Sequence, residues 1–380
     1  MIYLDYQATT PLAPEAFEAM LPWLRPETDG AHANPHSAHR PGRAAKAAVE
    51  VARAQVAALM PPGGRVVFTS GATEALNWAI KGTTGPIVTT AVEHAAVLDT
   101  VAAEERRGRG VTILPVGADG RVRGPAQARA QSRPSDACDP GLPPAREHKG
   151  GLWSAMLVNN EIGTIQPVAD LADLAHAAGA LFLCDAVQGY GRVPIPANVD
   201  LVAISAHKIH GPKGIGALWI REGVDLEPLL HGGDQEGGRS GTLSPALCVG
   251  FGAAARLLQE RAEIDSEHVF RLFGLAHAHL GGWAINGSIE HRYLGNLNAR
   301  RPGLDVARLM SDCRDIAFSA GSACASGSGR PSHVLKALGL SDAEARASIR
   351  LGWGRYTTEA ELAAALDRIV AAADAQRVAA

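Results

Sequence analysis

Short apolar runs alternate with stretches of helical period through the first part of the chain. "RVVFTS" (65–70) reads as a strand and "GATEALNWAIKG" (71–82) as a helix. "PIVTTAVEH" (86–94) is strand-like, followed by a helical "AAVLDTVAAEERRG" (95–108) and a strand "VTILPV" (111–116). The order continues with "LWSAMLVNNE" (152–161), the helix "VADLADLAHAAGA" (168–180), and the strands "LFLCDAV" (181–187), "LVAIS" (201–205) and "IGALWI" (215–220). Strand and helix in alternation predict an α/β fold with a mostly parallel sheet covered on both faces. Such sheets bind ligands outside the carboxyl ends of their strands. The polar residues collect at those ends: Ser70 to Thr73, Glu93 and His94, Asn159 and Asn160, Asp185 to Gln188, and Ser205 to Lys208.

The texture changes near residue 250. A long helical region starts at "CVGFGAAARLLQERAEI", weaker alternation follows, and "TTEAELAAALDRIVAAADAQRV" (357–378) closes as a helix. We therefore expect a large domain over 16–249 and a smaller α/β domain over 250–380, joined by 1–15. Residues 121–151 lack apolar periodicity and are rich in Pro, Arg, Ala and Gly, which predicts an irregular insert.

Composition narrows the function class. A net charge of -3 over 380 residues gives no basic surface for nucleic acid. No apolar run is long enough to span a bilayer, and "MIYLDYQATT" lacks the pattern of a secretory signal, so a cytoplasmic location is expected. The five cysteines are odd in number and form no C-x-x-C pair, which argues against a zinc ribbon or disulfide scaffold. Cys184 and Cys248 sit in apolar runs and read as small buried hydrophobes. Cys324 lies in "SAGSACASGSGRPS", among glycine and serine, as a thiol on an exposed loop would.

The segment "LVAISAHKIHGPKGIGALWI" (201–220) sets Lys208 at the mouth of a core strand, where its charge is costly to desolvate. A lysine there can simply carry its ammonium to water along its methylenes. A desolvated lysine can also react as a free amine with an aldehyde cofactor. That chemistry needs phosphate donors, a carboxylate for a pyridinium nitrogen and a flat group against the ring. Ala72 and Thr73 open a helix whose first amides suit an anion, although Thr73 could be no more than a helix cap. Asp185 ends a very apolar strand, Gln188 lies three residues on, and His94 follows another strand. Each alone is weak; the order Gly-Ala-Thr, His, Asp-x-x-Gln, Ser-x-His-Lys is a much stronger signal.

These stretches, with "YLDYQATTP", "ANPHSAH", "VNNEIGTIQPV", "HGGDQEGGRSGT", "PSHVLKALGL" and "SIRLGWGRYTT", make the sequence resemble the pyridoxal-phosphate-dependent cysteine desulfurases of the class V aminotransferase superfamily. The resemblance runs nearly end to end. It implies the fold type I of pyridoxal-phosphate enzymes, with a seven-stranded sheet in the large domain, a small C-terminal domain and a homodimer. It makes Lys208 the lysine that binds the cofactor aldehyde, Asp185 the partner of the pyridine nitrogen, Gln188 that of the ring hydroxyl, and His94 the stacking residue. Ala72, Thr73, Ser205 and His207 would hold the phosphate, with Thr242 reaching the partner subunit's site. Asn160 would lie near cofactor and substrate, and Asn34 and Arg350 would hold the substrate carboxylate; a guanidinium suits that ligand.

Cys324 matches the family's catalytic cysteine and is also a candidate transient iron–sulfur ligand. The implied reaction turns L-cysteine into L-alanine, loads sulfur on Cys324 as a persulfide, and passes it to an acceptor such as an iron–sulfur scaffold protein. Two alternatives stay open here: another enzyme of the superfamily, such as a selenocysteine lyase or an aminotransferase, or a weakly active sulfur-trafficking subunit. Residues 121–151 depart from the family, which carries a helix there.

Overall fold

A computed structural model describes residues 1–26, 30, 32–123, 150–233, 235–321 and 331–378. Most of the irregular insert expected at 121–151, and Cys324 with its loop, lie outside the described residues.

The chain begins with a two-residue strand, β1 (Ile2–Tyr3). Seven strands then build the large sheet: β2 (Gly64–Thr69), β3 (Ile87–Thr90), β4 (Val111–Leu114), β5 (Leu152–Met156), β6 (Leu181–Asp185), β7 (Leu201–Ser205) and β8 (Gly216–Arg221). Their spatial order is β2-β8-β7-β6-β5-β3-β4. Only β8 runs against its neighbours, pairing antiparallel with both β2 and β7. The remaining pairs are parallel, as the strand–helix alternation predicts.

Both faces of the sheet are buried. Val66, Phe68, Phe182, Cys184, Val202, Ile204 and Trp219 point into one apolar cluster. Their alternating neighbours Val67, Leu183, Leu201, Ala203, Leu218 and Ile220 point into another, closed by Leu76, Trp78 and Ile80 of the helix Ala72–Lys81. The helix Pro245–Glu260 packs Cys248, Phe251, Ala254 and Leu258 into the first cluster, against Val49, Ala52 and Val56 of the helix Arg40–Ala57.

The C-terminal part supplies β9 (Ala284–Ile285), β10 (Asn296–Arg300), β11 (Ile316–Ala317), β12 (Ser319–Ala320) and β13 (Ser348–Gly352). Four of these form an antiparallel sheet ordered β12-β13-β10-β9. The N-terminal β1 pairs in parallel with β11, and Asp5 bridges to Gly352. This sheet has its own apolar cluster, in which Leu4 packs with Leu297, Ile349, Leu351, Trp353 and Leu366. A side chain on Gly352 would collide with Gln7, so glycine there lets the N-terminal segment lie against β13.

Candidate active site

The parallel strands end at one cavity of about 620 Å³. Among the residues lining it are Ala72, Thr73, His94, Asn160, Asp185, Gln188, Ser205, His207, Lys208 and Arg350, so the fold gathers ten of the expected site residues. Asn34 and Thr242 do not line it. Both are exposed, and the Asn34 side chain accepts the His36 N–H at 2.9 Å.

The loops after β2 and β7 build one side of the cavity. The helix Ala72–Lys81 starts directly after the β2 turn, and its first amides face outward. Gly216, the first residue of β8, presses on that turn: a Cβ there would sit 2.5 Å from the Ile204 carbonyl oxygen and 2.7 Å from Gly71. Ser205 closes β7 and is buried beside it. His207 Nδ1 lies 3.2 Å from Thr9 Oγ1. Burial, then the ammoniums of Lys208 and Lys213, push His207 down to about 4, so at neutral pH it meets an anion as a neutral N–H donor.

Asp185 ends β6, and its Oδ1 accepts the Val187 N–H at 3.0 Å. Burial raises its pKa; the Val187 N–H, His94 and Lys208 oppose that. His94 caps the helix Ala95–Arg106 by accepting the Ala96 N–H at Nδ1 (3.1 Å), and burial holds its imidazole below the ordinary pKa. A neutral, fixed ring of this kind can lie flat against an aromatic ligand.

Lys208 ends the short 3₁₀ turn Ala206–Lys208. Its Nζ donates to the carbonyl oxygens of Gln7 (2.5 Å) and Ala8 (2.8 Å). The Gln7 oxygen also accepts from Gln188 Nε2 at 3.0 Å. The N-terminal segment therefore supplies the acceptors that hold the amine, a role the residue pattern does not reveal for Gln7 or Ala8.

Arg350 lies within β13 with only 1% of its surface exposed. Its Nη2 contacts Asp5 Oδ1 at 2.7 Å and Ser319 Oγ at 3.2 Å, and its Nη1 donates to the Asn160 carbonyl at 3.2 Å. Its Nε has no hydrogen-bond partner among the described residues. Behind Asp185 sits Glu93, fully buried, whose Oε1 accepts from Thr90 Oγ1 (2.6 Å) and the Met156 N–H (3.0 Å). Its Oε2 has no partner among the described residues. Burial, reinforced by Asp185, raises Glu93 to about 8.

Pyridoxal phosphate fits these groups. Gln188 Oε1 is a buried acceptor with no partner among the described residues, which the ring hydroxyl would satisfy. Asp185 is a buried carboxylate that a pyridinium would neutralise, and the Ala72 turn offers amides to a phosphate. Among the described residues no three His, Cys, Asp or Glu side chains cluster to hold a metal.

The profile of the class V aminotransferases matches residues 2–364. A cysteine desulfurase IscS of Rickettsia akari (strain Hartford) is 40% identical over 395 residues, covering 99% of this chain and 92% of the relative. A solved NifS-like protein superposes with a TM-score of 0.83 at 32% identity, over 97% of this chain and 98% of that one. The structure of SspA in complex with cysteine gives 0.77 at 34% identity, over 94% and 100%. With a cofactor cavity of this build and likeness over nearly the whole length, the chain belongs to the class V aminotransferase family and, within it, to the pyridoxal-phosphate-dependent cysteine desulfurases.

Proposed function

We propose that this chain converts L-cysteine to L-alanine in the Lys208 cavity and passes the sulfur through Cys324 to an acceptor protein. The observation that carries the reading is the convergence of Lys208 and Asp185 from neighbouring strand ends on one cavity, above the amides of Ala72 and Thr73. Bound pyridoxal phosphate supplies an aldehyde for amines and a cationic ring that withdraws electrons from the substrate Cα. Asp185 would hold a proton at the ring nitrogen, and Gln188 would accept from the ring hydroxyl. His94 would lie against the ring as a neutral imidazole. Thr73, Ser205, His207 and the first helical amides would hold the phosphate. Arg350 binds the substrate carboxylate, beside Asn160. Lys208 Nζ takes the Cα proton as general base, already oriented by the Gln7 and Ala8 carbonyls. The Cys324 thiolate attacks the substrate sulfur, the Cβ–S bond breaks, and the sulfur stays on Cys324 as a persulfide.

The same proposal includes a homodimer. Thr242 is exposed and off its own cavity, as a residue serving the partner's phosphate site must be. Asn34, which does not line the cavity, is proposed for the substrate carboxylate on the strength of the resemblance alone. An iron–sulfur scaffold as acceptor, Cys324 as its transient cluster ligand, and a cytoplasmic location belong here too; among the described residues no helix is long and apolar enough to cross a membrane. The division into 16–249 and 1–15 with 250–380 is likewise proposed. The separate C-terminal apolar cluster supports it, while the helix Pro245–Glu260 buries its face in the large core.

The test uses protein reconstituted with pyridoxal phosphate. Borohydride followed by peptide mass spectrometry should leave pyridoxyl on Lys208, and Lys208→Ala should abolish turnover; label on another lysine sinks the assignment. Cys324→Ser should bind cofactor and respond spectrally to cysteine, yet form neither persulfide nor alanine above background. Wild-type alanine release by that variant would make an aminotransferase or lyase mechanism the better account.

A further inference from the structure

Lys208 stands between a cavity it lines and a residue, Arg192, that lines another. Its side chain lines the first, and its main chain faces Arg192, which lines a second cavity of about 720 Å³ together with His210, Arg292, Tyr293 and Arg355. The chain leaves the 3₁₀ turn irregularly. Ile209 has φ -121° and ψ 30°, and His210 has φ 68°, the one positive φ of a non-glycine residue among those described. A turn that ends this way cannot pass its last carbonyl to a following helix, so the Lys208 oxygen needs a donor from elsewhere. Arg192 provides it: Nη2 donates to Lys208 O at 2.5 Å. The other arm of the same guanidinium, Nη1, makes a longer 3.5 Å contact with the carbonyl of Gln188. Its Cζ lies over the Tyr293 ring, 5.3 Å from the ring centroid. Among the described residues no carboxylate lies within ion-pairing distance of Arg192, so the guanidinium is used as a fork rather than as a counter-charge.

We infer that Arg192 is a positioning residue: by holding the Lys208 and Gln188 carbonyls from behind, with Tyr293 as its backing plate, it sets where Lys208 Nζ and the Gln188 amide stand in the cofactor cavity. This rests on Lys208 being the cofactor lysine. A single planar group joins the two main-chain segments whose side chains must meet the same ring. Lysine at 192 could reach one carbonyl but could not bridge both as a planar fork does. A shorter residue would leave the Lys208 oxygen to water from the second cavity and free the turn to shift. Small displacements of a catalytic base of this kind are costly in rate.

The experiment compares Arg192→Gln, Arg192→Lys and Tyr293→Leu with the wild type, each reconstituted with pyridoxal phosphate. Three quantities are read: kcat and KM for L-cysteine, pyridoxal phosphate dissociation, and the pH titration of the bound cofactor's visible absorption, which reports the proton on the Lys208 nitrogen. Arg192→Gln should lower kcat by about ten- to a hundredfold with KM for cysteine little changed, speed cofactor loss and move the titration midpoint. Arg192→Lys should recover part of each change. Tyr293→Leu keeps the guanidinium but removes its backing, and should shift the titration in the same direction; it carries the test if Arg192→Gln does not fold. An unmoved titration and an unchanged kcat in folded variants overturn the inference, even if melting temperature falls. Borohydride labelling separates the two levels: pyridoxyl on Lys208 with no effect of the variants refutes Arg192 alone, whereas label on another lysine refutes the premise.

Discussion

Replacing Glu93 with glutamine should stabilise the protein, and more so the higher the pH. The carboxyl is fully buried, and its folded-state pKa of about 8 stands above an ordinary 4.5. Below pH 4.5 it is neutral in both folded and unfolded chains and contributes no pH dependence. As pH rises from 4.5 to 8 the unfolded carboxyl ionises while the folded one keeps its proton. The unfolded state then binds fewer protons, and stability falls by about 1.4 kcal/mol per pH unit. Above 8 the folded group ionises as well and the loss levels off, at about 5 kcal/mol for the 3.5 units between the two values. At pH 7 the loss is about 3 kcal/mol. Glutamine has nearly the same shape and does not titrate. Its oxygen can still accept from Thr90 Oγ1 and the Met156 N–H, and its NH₂ takes the place of an Oε2 that has no partner among the described residues. The amide and the neutral acid therefore leave a comparable donor unmatched, and that cost cancels. Urea unfolding of Glu93→Gln and wild type, both saturated with pyridoxal phosphate at one protein concentration, should give curves within about 1 kcal/mol of each other near pH 5. They should separate by about 3 kcal/mol near pH 7 and more near pH 8.5. An offset that stays the same at all three pH values would show that Glu93 does not hold a proton in the folded protein, and would refute the reasoning.

Three further outcomes are expected. Asp185→Ala should retain some pyridoxal phosphate through the phosphate donors but lose at least about tenfold in kcat if, as proposed, Asp185 faces the ring nitrogen; near-normal alanine production would count against that role. Arg350→Lys should raise KM for cysteine by about ten- to a hundredfold with cofactor binding unchanged, because the forked contact with a carboxylate is lost; steady-state kinetics alongside cofactor absorbance check this. Gly216→Val should destabilise by about 1–3 kcal/mol and loosen cofactor binding, because its side chain must displace the Ile204 carbonyl or the Gly71 turn; an unchanged melting temperature and cofactor affinity would show the contact to be soft.

The apolar alternation marked all seven strands of the large sheet, because two-sided burial leaves continuous runs that tertiary packing does not override. Strand ends were less legible. "LWSAMLVNNE" reads as one run, yet β5 stops at Met156, since Asn159 turns the chain by accepting the Glu161 and Ile162 amides. The site side chains on strand ends were readable because each is a polar residue set against an apolar run. Gln7 and Ala8 were not, because they act through main-chain carbonyls that every residue type carries. Arg192 is hidden for the same reason: it too works on carbonyls, and its surroundings look like an ordinary surface turn. The placement of Asn34 and Thr242 away from the cavity could not be read from their motifs, which say nothing of distance.

The stitching of residues 2–5 into the far end of the chain sets the order in which the molecule can be completed during synthesis. β1 waits for β11, and Asp5 waits for Arg350, 345 positions later. At ribosomal rates of about 5–20 residues per second, residues 2–5 spend on the order of tens of seconds without their C-terminal partners, while the large sheet can already close behind them. The next residues, Gln7 and Ala8, meet Gln188 and Lys208 of that sheet's strand ends and need not wait. A growing chain can therefore hold the Lys208 amine before Arg350 has been made, and the carboxylate-binding side of the cavity is the last part to be completed.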